Sequence, residues 1–199
     1  MIIMLQRFGM TNARYAATPL PAGYKPLEIT EPADSNLHSK FQSVSGSLLY
    51  IMLGTCPDIA YAVTKMSQFA ANPSREHLDK ALYICRYLAG TDYALVYGPS
   101  NKGLIAYTDS DWAQDTIKRR SVTGYFFRLA NGIISWQSHS QKTVALSSTE
   151  AEYMALSDCS CQAVWMKTVF SELGMPLGTI PICGDNQGSI FISSNPIQE

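Results

Sequence analysis

The sequence has no excess of charge of either sign. Its 15 basic residues stand against 16 acidic ones, a formal net charge of −1 over 199 residues. That excludes a protein-wide positive field as the basis of nucleic-acid binding, so any phosphate contact must be local. Long apolar runs are missing too. The longest unbroken aliphatic and aromatic stretch is residues 48–53, far short of the roughly 20 residues that a membrane helix needs. The opening Met1-Ile2-Ile3-Met4-Leu5-Gln6-Arg7 lacks a basic leader and a small-residue cleavage site, which argues against a secretory signal. A disulfide framework is absent: the five cysteines, Cys56, Cys85, Cys159, Cys161 and Cys183, are odd in number and irregularly spaced. Cys159 and Cys161 fall in a helical pattern, where residues two apart point about 200° apart, a poor zinc clamp. The cysteines therefore read as free thiols of a reducing, intracellular compartment. His38, His77 and His139 are isolated from one another and read as neither ligands nor bases.

What is present is enough for a core. Hydrophobic residues make up 46% and charged residues 16%, which excludes wholesale disorder. Three regions follow one another. In residues 1–43, Met4, Leu5 and Phe8 share one face of a short helix. Pro19, Pro21, Pro26 and Pro32 then predict an extended linker to about Ser43. Residues 44–99 read as a helical segment: an apolar stretch over 45–53, a helix opened by Pro57-Asp58 and stopped by Asn72-Pro73, and a helix over 74–89 ending at Gly90. Residues 100–199 change pattern. A strand over 104–108 runs into Asp109-Ser110-Asp111, and its two apolar faces predict a central position in a sheet. An aromatic and β-branched strand over 122–129, the hairpin signal Asn131-Gly132 and a return strand from Ile133 complete an antiparallel trio. A long helix over 149–173, a strand over 179–183 containing Pro181, and a short helix over 187–194 follow. Strands mixed with helices in this order predict an α/β domain with a mixed sheet.

Three carboxylates stand where carboxylates need a reason. Asp109 ends a strand otherwise buried, and Asp185 sits just past a second one, at the sheet end where α/β ligands bind. Glu152 opens the apolar stripe Ala155, Leu156, Cys159, Ala163, Met166 and Phe170, so it points toward the sheet. Its neighbour Glu150 has a structural task, closing a capping box with Ser147. A lone Asp after a strand is usually a turn residue, and a lone Glu in a first helical turn usually compensates the helix dipole. Only the trio together suggests more. Converging carboxylates repel unless a hard cation lies among them, and oxygen ligands favour magnesium or manganese. Two such ions about 4 Å apart suit phosphodiester hydrolysis.

The stretches Tyr107-Thr108-Asp109-Ser110-Asp111-Trp112-Ala113, Ser147-Ser148-Thr149-Glu150-Ala151-Glu152-Tyr153 and Cys183-Gly184-Asp185-Asn186-Gln187 resemble the ribonuclease H domain of copia-type retrotransposon Pol polyproteins. Upstream, Gly46-Ser47-Leu48-Leu49-Tyr50 and Pro57-Asp58-Ile59-Ala60 resemble the segment that joins reverse transcriptase to that domain. The resemblance implies a ribonuclease H-like fold over 100–199, a connection segment over 44–99, and the end of a reverse transcriptase with its linker over 1–43. It implies two-metal cleavage of the RNA strand of RNA–DNA hybrids in an intracellular, cytoplasmic particle. A reverse-transcriptase domain of the same polyprotein would be a partner, and no membrane would be involved. Asp109, Glu152 and Asp185 would be the catalytic metal ligands for two Mg2+ or Mn2+ ions, with Asp111 in an outer shell. Ser110, Asn186 and Gln187 would contact ribose 2′-hydroxyls, and Lys118, Arg119 and Arg120 would contact phosphates. Trp112 and Trp136 read as packing residues rather than base-stacking ones.

The sequence also departs from the family. Cys56 stands where an Arg commonly precedes Pro-Asp, and Gly90-Thr91-Asp92-Tyr93 is one residue short. The family continues past Asn195-Pro196 into a strand and a helix carrying a fourth acidic ligand, so a C-terminally truncated, inactive domain is also expected. The alternative function is a non-catalytic polyprotein remnant acting as a folded spacer or interaction module. A phosphatase of the haloacid-dehalogenase type fits less well. Asp109-Ser110-Asp111 matches its nucleophile motif in part, but Ala113 stands at the fifth position and no downstream lysine and acidic pair follows.

Overall fold

The computed structural model describes residues 1–26, 32–113, 115 and 119–195. They form two compact units, Met1–Ala94 and Leu95–Glu199.

The first unit is helical. It contains α1 (Ile2–Arg7), α2 (Ser35–Gly54), a 3-10 turn (Pro57–Ile59), α3 (Ala60–Ser67) and α4 (Arg75–Gly90). Helix α2 begins at Ser35, well before the expected end of the linker near Ser43. The Asp34 side chain accepts a hydrogen bond from Leu37 N–H at 3.3 Å and caps the helix. Phe41, Val44, Leu48 and Met52 then recur at helical spacing and are buried. The expected division at 43/44 therefore falls inside one helix. Helix α4 starts on a reciprocal cap, with Ser74 Oγ accepting from His77 N–H and His77 Nδ1 accepting from Ser74 N–H, both at 3.1 Å. The His77 ring is buried and stacked on Phe69 at 3.9 Å, so this histidine is structural.

The second unit is α/β. Its strands are β1 (Ile105–Asp111), β2 (Val122–Leu129), β3 (Gly132–Ser140) and β4 (Ile182–Cys183), and its helices are α5 (Ser148–Glu172) and α6 (Gln187–Ser194). The sheet order is β3-β2-β1-β4. The first three strands are antiparallel neighbours and β4 joins β1 in parallel, so the sheet is mixed. Helix α5 packs on β1 and β2 over a core of Leu104, Ala106, Phe127, Cys159, Ala163 and Met166. Small residues on the α5 stripe let the helix lie close to the strands.

Three strand details differ from expectation. Strand β1 does not stop at Asp109. Asp109, Ser110 and Asp111 stay in the ladder opposite Gly124, Thr123 and Val122. The hairpin turn lies one residue earlier than Asn131-Gly132. Leu129 pairs with Gly132, leaving Ala130 (φ 51°) and Asn131 (φ 65°) as a two-residue loop of the primed kind. Gly132 opens β3 instead, where a Cβ would lie 2.5 Å from the Tyr97 ring and 2.9 Å from Val96 O. The strand expected over 179–183 shrinks to β4, because Pro181 has no N–H for the ladder. Its carbonyl still accepts from Ala106 N–H at 2.9 Å. Strand β4 is therefore a short, partly exposed edge rather than a buried strand. Among the described residues no helix is long and apolar enough to cross a membrane.

Candidate metal centre

The site is built where the sheet changes character. Strand β4 pairs with β1 only at Ala106 and Tyr107. Three residues further along β1, Ser110 N–H donates both to Asp109 Oδ1 at 2.9 Å and to Glu152 Oε1 at 3.1 Å. One main-chain donor thus holds a strand carboxylate and a helix carboxylate together.

Glu152 is delivered by the first turns of α5. Ser147 Oγ accepts from Glu150 N–H at 3.1 Å and starts the helix. The Glu150 carboxylate turns back to accept from Leu146 N–H at 2.7 Å, one residue before the cap, and is occupied there. Glu152 begins the buried stripe and is itself only 7% exposed. Asp185 follows β4 by way of Gly184. Immediately after it the Asn186 side chain accepts from Ser189 N–H at 2.9 Å and starts α6. Helix α6 packs on α5, and the approach is close: a Cβ on Gly188 would lie 2.9 Å from Thr149 Cγ2.

These three placements converge. One oxygen from each of Asp109, Glu152 and Asp185 lies within 4.8 Å of the others. Burial pushes the Glu152 carboxyl above its usual range, and the charges of Asp109 and Asp185 push it further, while hydrogen bonding from Ser110 opposes the shift. A cluster of this kind is costly when fully ionised, and a cation among the oxygens removes the cost. The donors are all oxygens from two exposed and one buried carboxylate, which fits a hard divalent ion such as magnesium or manganese.

The other expected site residues take different places. Asp111 occupies the last position of β1 opposite Val122 and is not one of the three converging carboxylates. Ser110 is half-buried and contributes its main chain. Asn186 is engaged as a helix cap, and Gln187 is the exposed first residue of α6. Arg119 (φ 56°) and Arg120 close a local loop with Asp115: Arg119 N–H donates to Asp115 O, and Asp115 N–H donates to Arg120 O. Lys118 lies outside the described residues. Trp112 is 50% exposed, with its indole N–H on Ala145 O, rather than packed in the core. Trp136 is half-buried on β3. The role of Ser110 N–H has no signature in the residue types, because every non-proline residue carries the same donor. The deep burial of Glu152 was the readable clue that such a donor is needed.

Comparison with known proteins gives a consistent set of relatives. The chain is 41% identical over 199 residues to the retrovirus-related Pol polyprotein from transposon TNT 1-94 of Nicotiana tabacum, covering 96% of this chain and 15% of that protein. It is 36% identical over 203 residues to the retrovirus-related Pol polyprotein from transposon RE1 of Arabidopsis thaliana, covering 98% of this chain and 13% of that protein. It is also 45% identical over 128 residues to a Plasmopara viticola protein named secreted RxLR effector protein 161, covering 63% of this chain and 90% of that protein. The chain thus spans only about a seventh of the length of the polyproteins it matches. No family model matches the chain. No solved structure matches it either.

Proposed function

The chain belongs to the Pol polyproteins of copia-type retrotransposons, and on that premise we propose that its Leu95–Glu199 unit is a ribonuclease H-like domain that hydrolyses the RNA strand of RNA–DNA hybrids. The observation that carries this reading is the convergence of Asp109, Glu152 and Asp185 oxygens within 4.8 Å. The mixed sheet with α5 across it supports the fold assignment.

In this reading Asp109, Glu152 and Asp185 hold two divalent ions, magnesium or manganese. The bound ions supply Lewis acidity to a phosphodiester and lower the pKa of water. The protein's own part is positional. Ser110 N–H fixes Asp109 and Glu152 relative to each other, so little reorganisation remains when a substrate arrives. Asp111 belongs to the outer shell. Ser110, Asn186 and Gln187 lie beside the carboxylates in sequence and are assigned to the 2′-hydroxyls that separate RNA from DNA. Lys118, Arg119 and Arg120 are assigned to phosphates. A reverse-transcriptase domain is the expected partner, and a cytoplasmic retrotransposon particle the expected location.

The test is a magnesium titration of hybrid cleavage by the full 199-residue chain. Asp109→Asn, Glu152→Gln and Asp185→Asn should each lower the rate by at least about 100-fold, the upper end of what outer-shell partners alone cost. Undiminished magnesium-dependent cleavage in any of the three removes the assignment. A wild-type chain that neither cleaves hybrid nor binds manganese favours the non-catalytic spacer or interaction module instead.

A further inference from the structure

Gln141 is among the most deeply buried polar side chains of the molecule, at 1% exposure, and nothing in the proposed chemistry yet uses it. It lies immediately past β3, where its main-chain N–H donates to Ser121 O at 2.8 Å. Its carboxamide nitrogen donates twice, to Thr123 Oγ1 at 3.1 Å and to Ala151 O at 2.9 Å. Both recipients are residues with no exposed surface.

The identity of those recipients is the point. Thr123 sits on β2 directly opposite Ser110, the residue whose N–H holds Glu152. Ala151 precedes Glu152 in the first turns of α5. One carboxamide therefore ties the strand neighbour of Ser110 to the peptide next to Glu152. The arrangement is not an economical way to fill space. The carboxamide oxygen of Gln141 is buried with no hydrogen-bond partner among the described residues. A buried acceptor left unpaired costs about 1–3 kcal/mol, a cost that an apolar side chain of the same volume avoids.

We propose that Gln141 is a positioning residue for the cation pocket, its carboxamide fixing the first turns of α5 against β2 and so setting Glu152 Oε1 on Ser110 N–H. The proposal rests on the reading of Asp109, Glu152 and Asp185 as a cation site. A displacement of the helix by a fraction of an ångström would lengthen the 3.1 Å Ser110–Glu152 bond and open the triangle of oxygens. The side-chain hydrogen bonds of Gln141 go to Thr123 and Ala151 and not to a carboxylate, so its effect on an ion must travel through those two residues.

The experiment measures manganese affinity by calorimetry on the full chain, with thermal stability recorded for every variant. Gln141→Leu removes both donations and the unpaired oxygen, and Thr123→Val removes one acceptor at constant shape. Met166→Leu, a core change on the same helix away from the carboxylates, is the control. Gln141→Leu should weaken manganese binding about 10- to 100-fold, the range for partners behind a first ligand shell. Thr123→Val should weaken it less. The control should leave affinity unchanged whatever it does to stability. If Gln141→Leu loses stability but binds manganese as the wild type does, the residue is merely structural and the proposal fails. Should Gln141→Leu not fold, the Thr123→Val affinity decides in the same way. If the wild type itself shows no manganese binding that Asp109→Asn abolishes, the underlying cation reading fails instead, and the two failures are told apart.

Discussion

Burial raises the pKa of one carboxyl and two thiols of this chain, with different consequences. Glu152 is buried beside two other carboxylates, and its raised pKa records how poorly that place suits a lone negative charge. Cys85 and Cys159 are buried among apolar neighbours, which simply keeps them as thiols. Burial pushes both up to about 12 from an ordinary 9.0. Cys161 and Cys183 are exposed. In native protein at about pH 8, iodoacetamide should modify Cys161 and Cys183 and spare Cys85 and Cys159, because the thiolate is the nucleophile. Peptide mass spectrometry reads the result, and adducts on Cys159 before unfolding would contradict its place under the sheet. The same shift sets an alkaline limit. Between 9.0 and about 12 the folded chain keeps protons that the unfolded chain has released. Stability is therefore complete below the unfolded pKa and falls as pH rises, by about 1.4 kcal/mol per pH unit for each thiol. Urea midpoints measured from pH 8 to 11 should show this slope setting in near pH 9, and Cys159→Ala should remove the share of that thiol and leave that of Cys85.

At the scale of elements, legibility followed local signals and failed where a neighbour decided. Helices α4, α5 and α6 carry their own N-caps, Ser74, Ser147 and Asn186, and their starts could be read directly. The start of helix α2 is hidden in the sequence because Asp34-Ser35-Asn36 follows a run of prolines and is itself polar, so the cap resembles more linker. The hairpin moved by one residue because the Tyr97 ring, remote in sequence, leaves no room for a side chain at position 132. The trio of carboxylates was legible from its places on strand, helix and strand end. The donors behind it were not, since only the folded chain brings Ser110 N–H to Glu152 and the Gln141 carboxamide to Thr123 and Ala151. Gly188 belongs to the same class. Its missing side chain lets α6 approach Thr149 in the first turn of α5, and α6 begins two residues after Asp185. Gly188→Ala should push these two helix starts apart and move Asp185 relative to Glu152. The expected result is a stability loss of about 1–3 kcal/mol from overpacking together with roughly tenfold weaker manganese binding, equivalent to about 1.4 kcal/mol. Calorimetric titration checks it, and an unchanged affinity would show that Asp185 is placed by β4 alone.

Taken whole, the molecule divides its labour between two cores. Met1–Ala94 closes around Phe41, Leu48, Ile59, Met66, Leu78 and Ile84, whereas Leu95–Glu199 closes around the sheet and α5 and carries all three converging carboxylates. The three tryptophans, Trp112, Trp136 and Trp165, all fall in the second unit. Tryptophan fluorescence therefore reports the α/β unit, while far-ultraviolet circular dichroism also senses the helices of the first. Phe41 has no exposed surface, and Phe41→Ala should cost the helical unit about 3–5 kcal/mol through lost contacts and a cavity. That is a large part of the marginal stability of a domain of this size. Because the cavity lies in one core and the fluorophores in the other, the dichroism transition should move to lower denaturant and separate from the fluorescence transition, which should keep its midpoint. Manganese affinity should stay unchanged as long as the fluorescence transition does. A fluorescence midpoint that falls in step with the dichroism midpoint would mean that the chain unfolds as one cooperative body, and that two cores do not here make two folding units.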